Sequence, residues 1–79
     1  MKTPRDLSAK DLIKILQKFG YIITRQKGSH IRLTLSSDKT EYHITIPDHN
    51  PLKLGTLSAI LNEVSEHLGM SKDDLIRKL

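Results

Sequence analysis

Apolar residues recur along this chain in two rhythms, and the switches between them mark out its elements. Leu12, Ile13, Leu16 and Phe19 fall at helical spacing, which predicts a helix over about Ala9 to Phe19. Ser8 is placed to cap it with Asp11 three residues on, Leu7 and Leu12 bracket the cap as a hydrophobic staple, and Gly20 stands where a helix-ending glycine belongs. The rhythm then shortens to two. Tyr21 to Lys27 is rich in β-branched and aromatic residues. Ile31, Leu33 and Leu35 alternate with Arg32, Thr34 and Ser36, and after a turn at Ser37-Asp38-Lys39, Tyr42, Ile44 and Ile46 alternate with Glu41, His43 and Thr45. Pro47 ends that third strand. Helical spacing returns in Leu57, Ile60, Leu61, Val64 and Leu68, predicting a helix from Lys53 or Thr56 to Leu68 that Gly69 closes. Ser71 with Asp74 and Met70 with Leu75 repeat the cap and staple before a short third helix, about Lys72 to Leu79.

The order α-β-β-β-α plus a short terminal helix predicts an α+β fold resembling the double-stranded-RNA-binding domain. Two amphipathic helices cover one face of a three-stranded antiparallel sheet and leave the other face open. No repeat, linker or low-complexity run divides the 79 residues, so one domain spans 1–79, with its core over about 8–68 and the terminal helix over about 72–79. Fold alone does not give function.

Chemistry concentrates in the connection Lys27-Gly28-Ser29-His30. A two-residue type II′ turn at Gly28-Ser29 needs positive φ at its first central position, which glycine supplies. That turn pairs Lys27 with His30, Gln26 with Ile31, Arg25 with Arg32 and Thr24 with Leu33. Cross-strand partners share a face. Because Ile31, Leu33 and Leu35 need the core, Arg25, Lys27, His30 and Arg32 are sent together to the open face. One titratable imidazole among three fixed cations suits RNA cleavage: the imidazole takes a proton from a ribose 2′-hydroxyl while the cations hold phosphate. A lone histidine after a Gly-Ser turn is more often an ordinary edge residue, and basic strand faces are often simply solvated.

Composition narrows the field around that face. Lys plus Arg number 13 against 9 Asp plus Glu, a net +4 that suits a polyanionic partner, either nucleic acid or an acidic protein. Aromatic residues make up 4%, too few for rows of stacked bases. The absence of cysteine excludes disulfides, thiolate nucleophiles and Cys-ligated zinc. No apolar run approaches a membrane span, and Met1 to Asp6 leads into no signal-peptide core, so a soluble cytoplasmic protein is expected.

Three blocks of sequence resemble the HicA family of toxins. Gly20-Tyr21-Ile22-Ile23-Thr24-Arg25-Gln26-Lys27-Gly28-Ser29-His30 looks like its signature hairpin, Ile44-Thr45-Ile46-Pro47 followed by His49 like its third strand and Pro–His loop, and Leu54-Gly55-Thr56-Leu57-Ser58-Ala59-Ile60-Leu61 like the start of its second helix. In order and spacing they cover about residues 8 to 68. The resemblance implies a type II toxin that cleaves mRNA, with His30 catalytic, Gly28 and Ser29 forming the turn that presents it, and a HicB-type antitoxin as partner. It implies no cofactor. Family members are often shorter, so the stretch from Met70 to Leu79 departs from the pattern.

Three other histidines need a place. His43 has the parity of the open face and is a candidate RNA or acid contact, though a solvated strand histidine is the plainer reading. His49 is a candidate RNA contact or a loop cap. His67, near the end of the second long helix, is expected to serve the helix dipole. His30, His43, Asp48 and His49 match no compact ligand spacing, so no metal site is expected. Gly55-Thr56 and Lys53 are possible phosphate contacts at a helix start, with a tight turn and a solvated lysine as the plainer readings.

Overall fold

The computed structural model describes residues 6–79; residues 1–5, part of the stretch judged to hold no signal-peptide core, lie outside it. Its elements are α1 (Ala9–Lys18), β1 (Ile22–Lys27), β2 (His30–Ser37), β3 (Thr40–Pro47), α2 (Leu54–Leu68) and α3 (Lys72–Arg77). The fold is the α+β arrangement the sequence predicts, with a three-stranded antiparallel sheet in the order β1-β2-β3. β2 is the central strand, paired with β1 on one edge and β3 on the other.

Both predicted caps form. The Ser8 hydroxyl accepts from the Asp11 amide at 3.1 Å, and the Ser71 hydroxyl accepts from the Asp74 amide at 3.1 Å. Each satisfies a first-turn amide that has no partner within its helix. Leu7 and Met70, the outer halves of the two staples, pack against the core. That core joins Leu12 and Leu16 of α1, Leu33 and Ile46 of the sheet, Leu57, Leu61 and Val64 of α2, and Leu75 of α3. Leu75 and Ile76 are both buried, so the short last helix is packed into the same core as the rest. No described helix is long and apolar enough to cross a membrane.

The strand pairing departs from the sequence expectation at one residue. Lys27↔His30, Gln26↔Ile31 and Arg25↔Arg32 pair as predicted, but Leu33 pairs with Ile23 and not with Thr24, and a bulge falls between Ile23 and Arg25. A bulge sets two residues against one and turns consecutive side chains toward one side. Thr24 thereby leaves the core side of the sheet: its hydroxyl lies 2.9 Å from that of Thr34 on the open face.

The loop after β3 is laced down. The amide of Ala9, at the start of α1, donates to His49 O (3.0 Å), and the amide of Leu52 donates to Leu7 O (2.8 Å). Asp48 N–H donates to Ser29 O at 2.6 Å, which ties this loop to the β1–β2 turn. Three distant parts of the chain therefore meet at one end of the sheet.

Candidate functional site

Gly28 has φ 58, and Ser29 does not share that positive sign, so the turn carries positive φ at its first central position alone, as a type II′ turn requires. Nothing lies within 4 Å of a Cβ built on Gly28; the glycine answers to the backbone and not to crowding. The turn places His30 at the head of the central strand, with Lys27 across from it on β1 and Pro47 on β3. One pair further along, Arg25 faces Arg32. All four predicted side chains thus share the open face, with Arg25, Lys27 and His30 exposed and Arg32 half-buried. Among the described residues, no side chain holds the His30 imidazole by a hydrogen bond or ion pair.

His43 lies on the same face but at the other end. It pairs with Thr34, four residues along β2 from His30, a separation of roughly 13 Å at the rise of an extended strand. Its Nδ1 is 2.9 Å from the Thr34 hydroxyl, which is 2.9 Å from that of Thr24, whose own hydroxyl donates to Arg32 O at 3.4 Å. Each hydroxyl has one proton to give, so all three contacts are made together only when His43 Nδ1 carries hydrogen and the donors run His43→Thr34→Thr24→Arg32 O. Nε2 then points toward Glu41, 3.8 Å from its Oε2. This chain explains why Thr34 is 5% exposed on a face otherwise open to solvent. Around it is an open concavity of about 370 Å³ lined by Ile22, Thr24, Arg25, Arg32, Thr34 and His43, among others.

Sequence reasoning missed Thr24, Thr34 and Ile22 as parts of this surface. Thr34 had the parity of Arg32 and could have been found. Thr24 and Ile22 reach the face through the bulge, for which the sequence carries no signal.

His49 sits in the laced loop at the His30 end, with its side chain exposed and its N–H donating to Pro47 O at 2.9 Å. His67 is away from this face. Its Nδ1 is 2.8 Å from the Tyr21 hydroxyl, and its ring stacks on Tyr42 at 4.6 Å between centroids and 21° between planes. It lies in the last turn of α2, where the dipole expectation put it, but its contacts are to two tyrosines. Burial, with a smaller contribution from the Glu63 carboxylate, pushes the Tyr21 hydroxyl up to about 12. No group of three His, Cys, Asp or Glu side chains that can hold a metal ion occurs among the described residues. Gly55 is the second residue of α2, which starts without a side-chain cap, and the exposed Lys53 is its N-cap.

A protein-family model described as HicA toxin of bacterial toxin-antitoxin matches residues 9–65. The chain belongs to the HicA toxin family. The match runs from the start of α1 to near the end of α2, and so takes in the whole sheet, the Gly28-Ser29-His30 turn and the His49 loop. α3 lies beyond it. No significant match was found among curated proteins or among solved structures. Membership in this HicA family makes the chain a toxin of the toxin–antitoxin type, with an antitoxin as the partner that implies.

Proposed function

We propose that this HicA-family chain is an endoribonuclease that cleaves mRNA in the cytoplasm and is neutralised by a HicB-type antitoxin masking its open face. His30 is the general base, presented by Gly28 and Ser29. Arg25, Lys27 and Arg32 bind phosphates, and His43 and His49 contact the RNA. The observation that supports this most is the turn geometry: positive φ at Gly28 alone and the Lys27↔His30 register put an unencumbered imidazole beside three cations.

In the reaction, His30 removes the proton of a ribose 2′-hydroxyl, and the oxygen attacks the adjacent phosphorus as the bond to the 5′-oxygen breaks. Lys27, and behind it Arg25 and Arg32, stabilise the charge that builds on the phosphoryl oxygens. A histidine base acting on an internal nucleophile requires neither a metal ion nor a small-molecule cofactor.

The test is to incubate the purified protein with a long mRNA in excess EDTA beside His30→Ala. Cleavage by the wild type alone is expected. Cleavage by both proteins would refute the role of His30. Cleavage by neither, with RNA binding that weakens by about 0.7 log units per tenfold salt for each phosphate neutralised, would favour a non-catalytic RNA-binding module.

A further inference from the structure

Transesterification leaves one role unfilled by His30: the departing 5′-oxygen needs a proton. His43 is too far along the strand to give it, as the roughly 13 Å separation exceeds the span of one phosphodiester. The fold brings a different histidine to the right end. Asp48 N–H donates to Ser29 O at 2.6 Å, and His30 and His49 are the next residues after those two. Standard backbone geometry on either side of that hydrogen bond keeps the Cα atoms of His30 and His49 within roughly 10 Å. That span lets two imidazoles reach opposite oxygens of a single phosphodiester.

The loop also holds His49 as a catalytic group needs to be held. Its N–H donates to Pro47 O at 2.9 Å and its carbonyl accepts from Ala9 N–H at 3.0 Å, so the backbone is fixed from both sides. Its side chain is exposed and, among the described residues, makes no hydrogen bond or ion pair. A rigid backbone carrying an unengaged imidazole has no structural use for the ring. Two backbone hydrogen bonds from elements far apart in sequence, Asp48 N–H to Ser29 O and Ala9 N–H to His49 O, and one within the loop converge to place it there.

We propose that His49 is the second catalytic residue, the acid that protonates the leaving 5′-oxygen. The inference rests on the endoribonuclease reading above. Atoms balance: the 2′-oxygen gives its proton to His30, the bond from the 2′-oxygen to phosphorus forms as the bond to the 5′-oxygen breaks, and the 5′-oxygen takes its proton from His49. The products are a 2′,3′-cyclic phosphate and a 5′-hydroxyl.

The test changes the leaving group. A cleavage site is first mapped on a long mRNA, and a short RNA spanning it is then made with either the ordinary linkage or sulfur in place of the bridging 5′-oxygen. A thiolate departs without a proton, so it does not need the acid. His49→Ala is expected to cleave the ordinary linkage about 10²–10⁴-fold more slowly and the sulfur linkage at close to the wild-type rate, whereas His30→Ala fails on both. Because His49 holds the loop through backbone atoms, the variant should remain folded; circular dichroism checks this, and His49→Gln serves if alanine disturbs the loop. Unchanged cleavage of ordinary RNA by His49→Ala and His49→Gln, or an equal loss on both linkages in a folded His49 variant, would overturn the role of His49 while leaving His30 in place. A wild type that cleaves neither linkage would overturn the nuclease reading, and this inference with it.

Discussion

Replacing Tyr21 by Phe removes one oxygen from the interior and tests the polar contact that joins the sheet's start to α2. The ring is 1% exposed, and phenylalanine keeps its burial, so the loss is confined to the hydroxyl. At neutral pH that hydroxyl is hydrogen-bonded to His67 Nδ1 at 2.8 Å. A neutral hydrogen bond of this kind contributes about 1 kcal/mol net, and Tyr21→Phe should be less stable by that amount. Alkaline pH reverses the order. The Tyr21 hydroxyl titrates at about 12 in the folded chain against 10 in the unfolded chain, because burial and then Glu63 disfavour the phenolate. The folded value is the higher one, so this contribution is fully present below pH 10 and is lost as pH rises through 12. Two pKa units correspond to about 2.7 kcal/mol, of which roughly 2 are gone by pH 12. The variant has no such group, so the two stability curves should cross between about pH 10 and 11.5. Urea denaturation followed by circular dichroism at half-unit steps from pH 7 to 11.5 measures both parts. Parallel curves above pH 9 would refute the reasoning, since Tyr21 would then ionise alike in both states.

The turn that presents His30 makes its own demand. Gly28→Ala should cost about 1–2 kcal/mol in urea denaturation, since φ 58 is unfavourable for an L-residue while no neighbour obstructs the added methyl; a synthetic chain with D-alanine there should recover the loss. Thr34→Val removes the link between Thr24 and His43 and should cost about 1–3 kcal/mol, with the His43 ring ¹⁵N shifts reporting loss of the fixed Nδ1 proton; unchanged shifts would mean the chain of donors does not set the tautomer. Leu75→Ala should cost about 2–5 kcal/mol by thermal or urea unfolding, because that side chain is fully buried beside α2; a cost below ~1 kcal/mol would show that α3 is dispensable to the core.

Much of the site could be read from local pattern because its key constraint is local. Gly28-Ser29 between two β-rich runs specifies its turn within four residues, and parity then assigns Lys27, His30, Arg25 and Arg32 to one face without knowledge of the rest of the chain. The same reasoning gave Ser8 and Ser71 as caps, since a cap and its target amide are three residues apart. It failed at Thr24, where strict alternation predicts Leu33 as the partner and the structure inserts a bulge. Ile22-Ile23-Thr24 carries no glycine to announce that bulge, and its visible consequence is the Thr24–Thr34–His43 chain, which requires all three strands.

The hydrophobic rhythm, the caps and the turn residues were enough to specify which elements form, which face is apolar, and that His30 stands among cations. Such features depend on residues a few positions apart, whose geometry is nearly independent of context. Where the other histidines lie is decided by packing. His43 and His49 are both within 20 positions of His30 in the sequence, yet sheet register puts one far along the strand and a 2.6 Å hydrogen bond from Asp48 to Ser29 brings the other to its side. His67 lies between two tyrosines more than 20 positions away because α2 folds back over the core face of the sheet. No local rule contains those distances, since they are fixed by how the helices and the loop close onto the sheet to bury one common core.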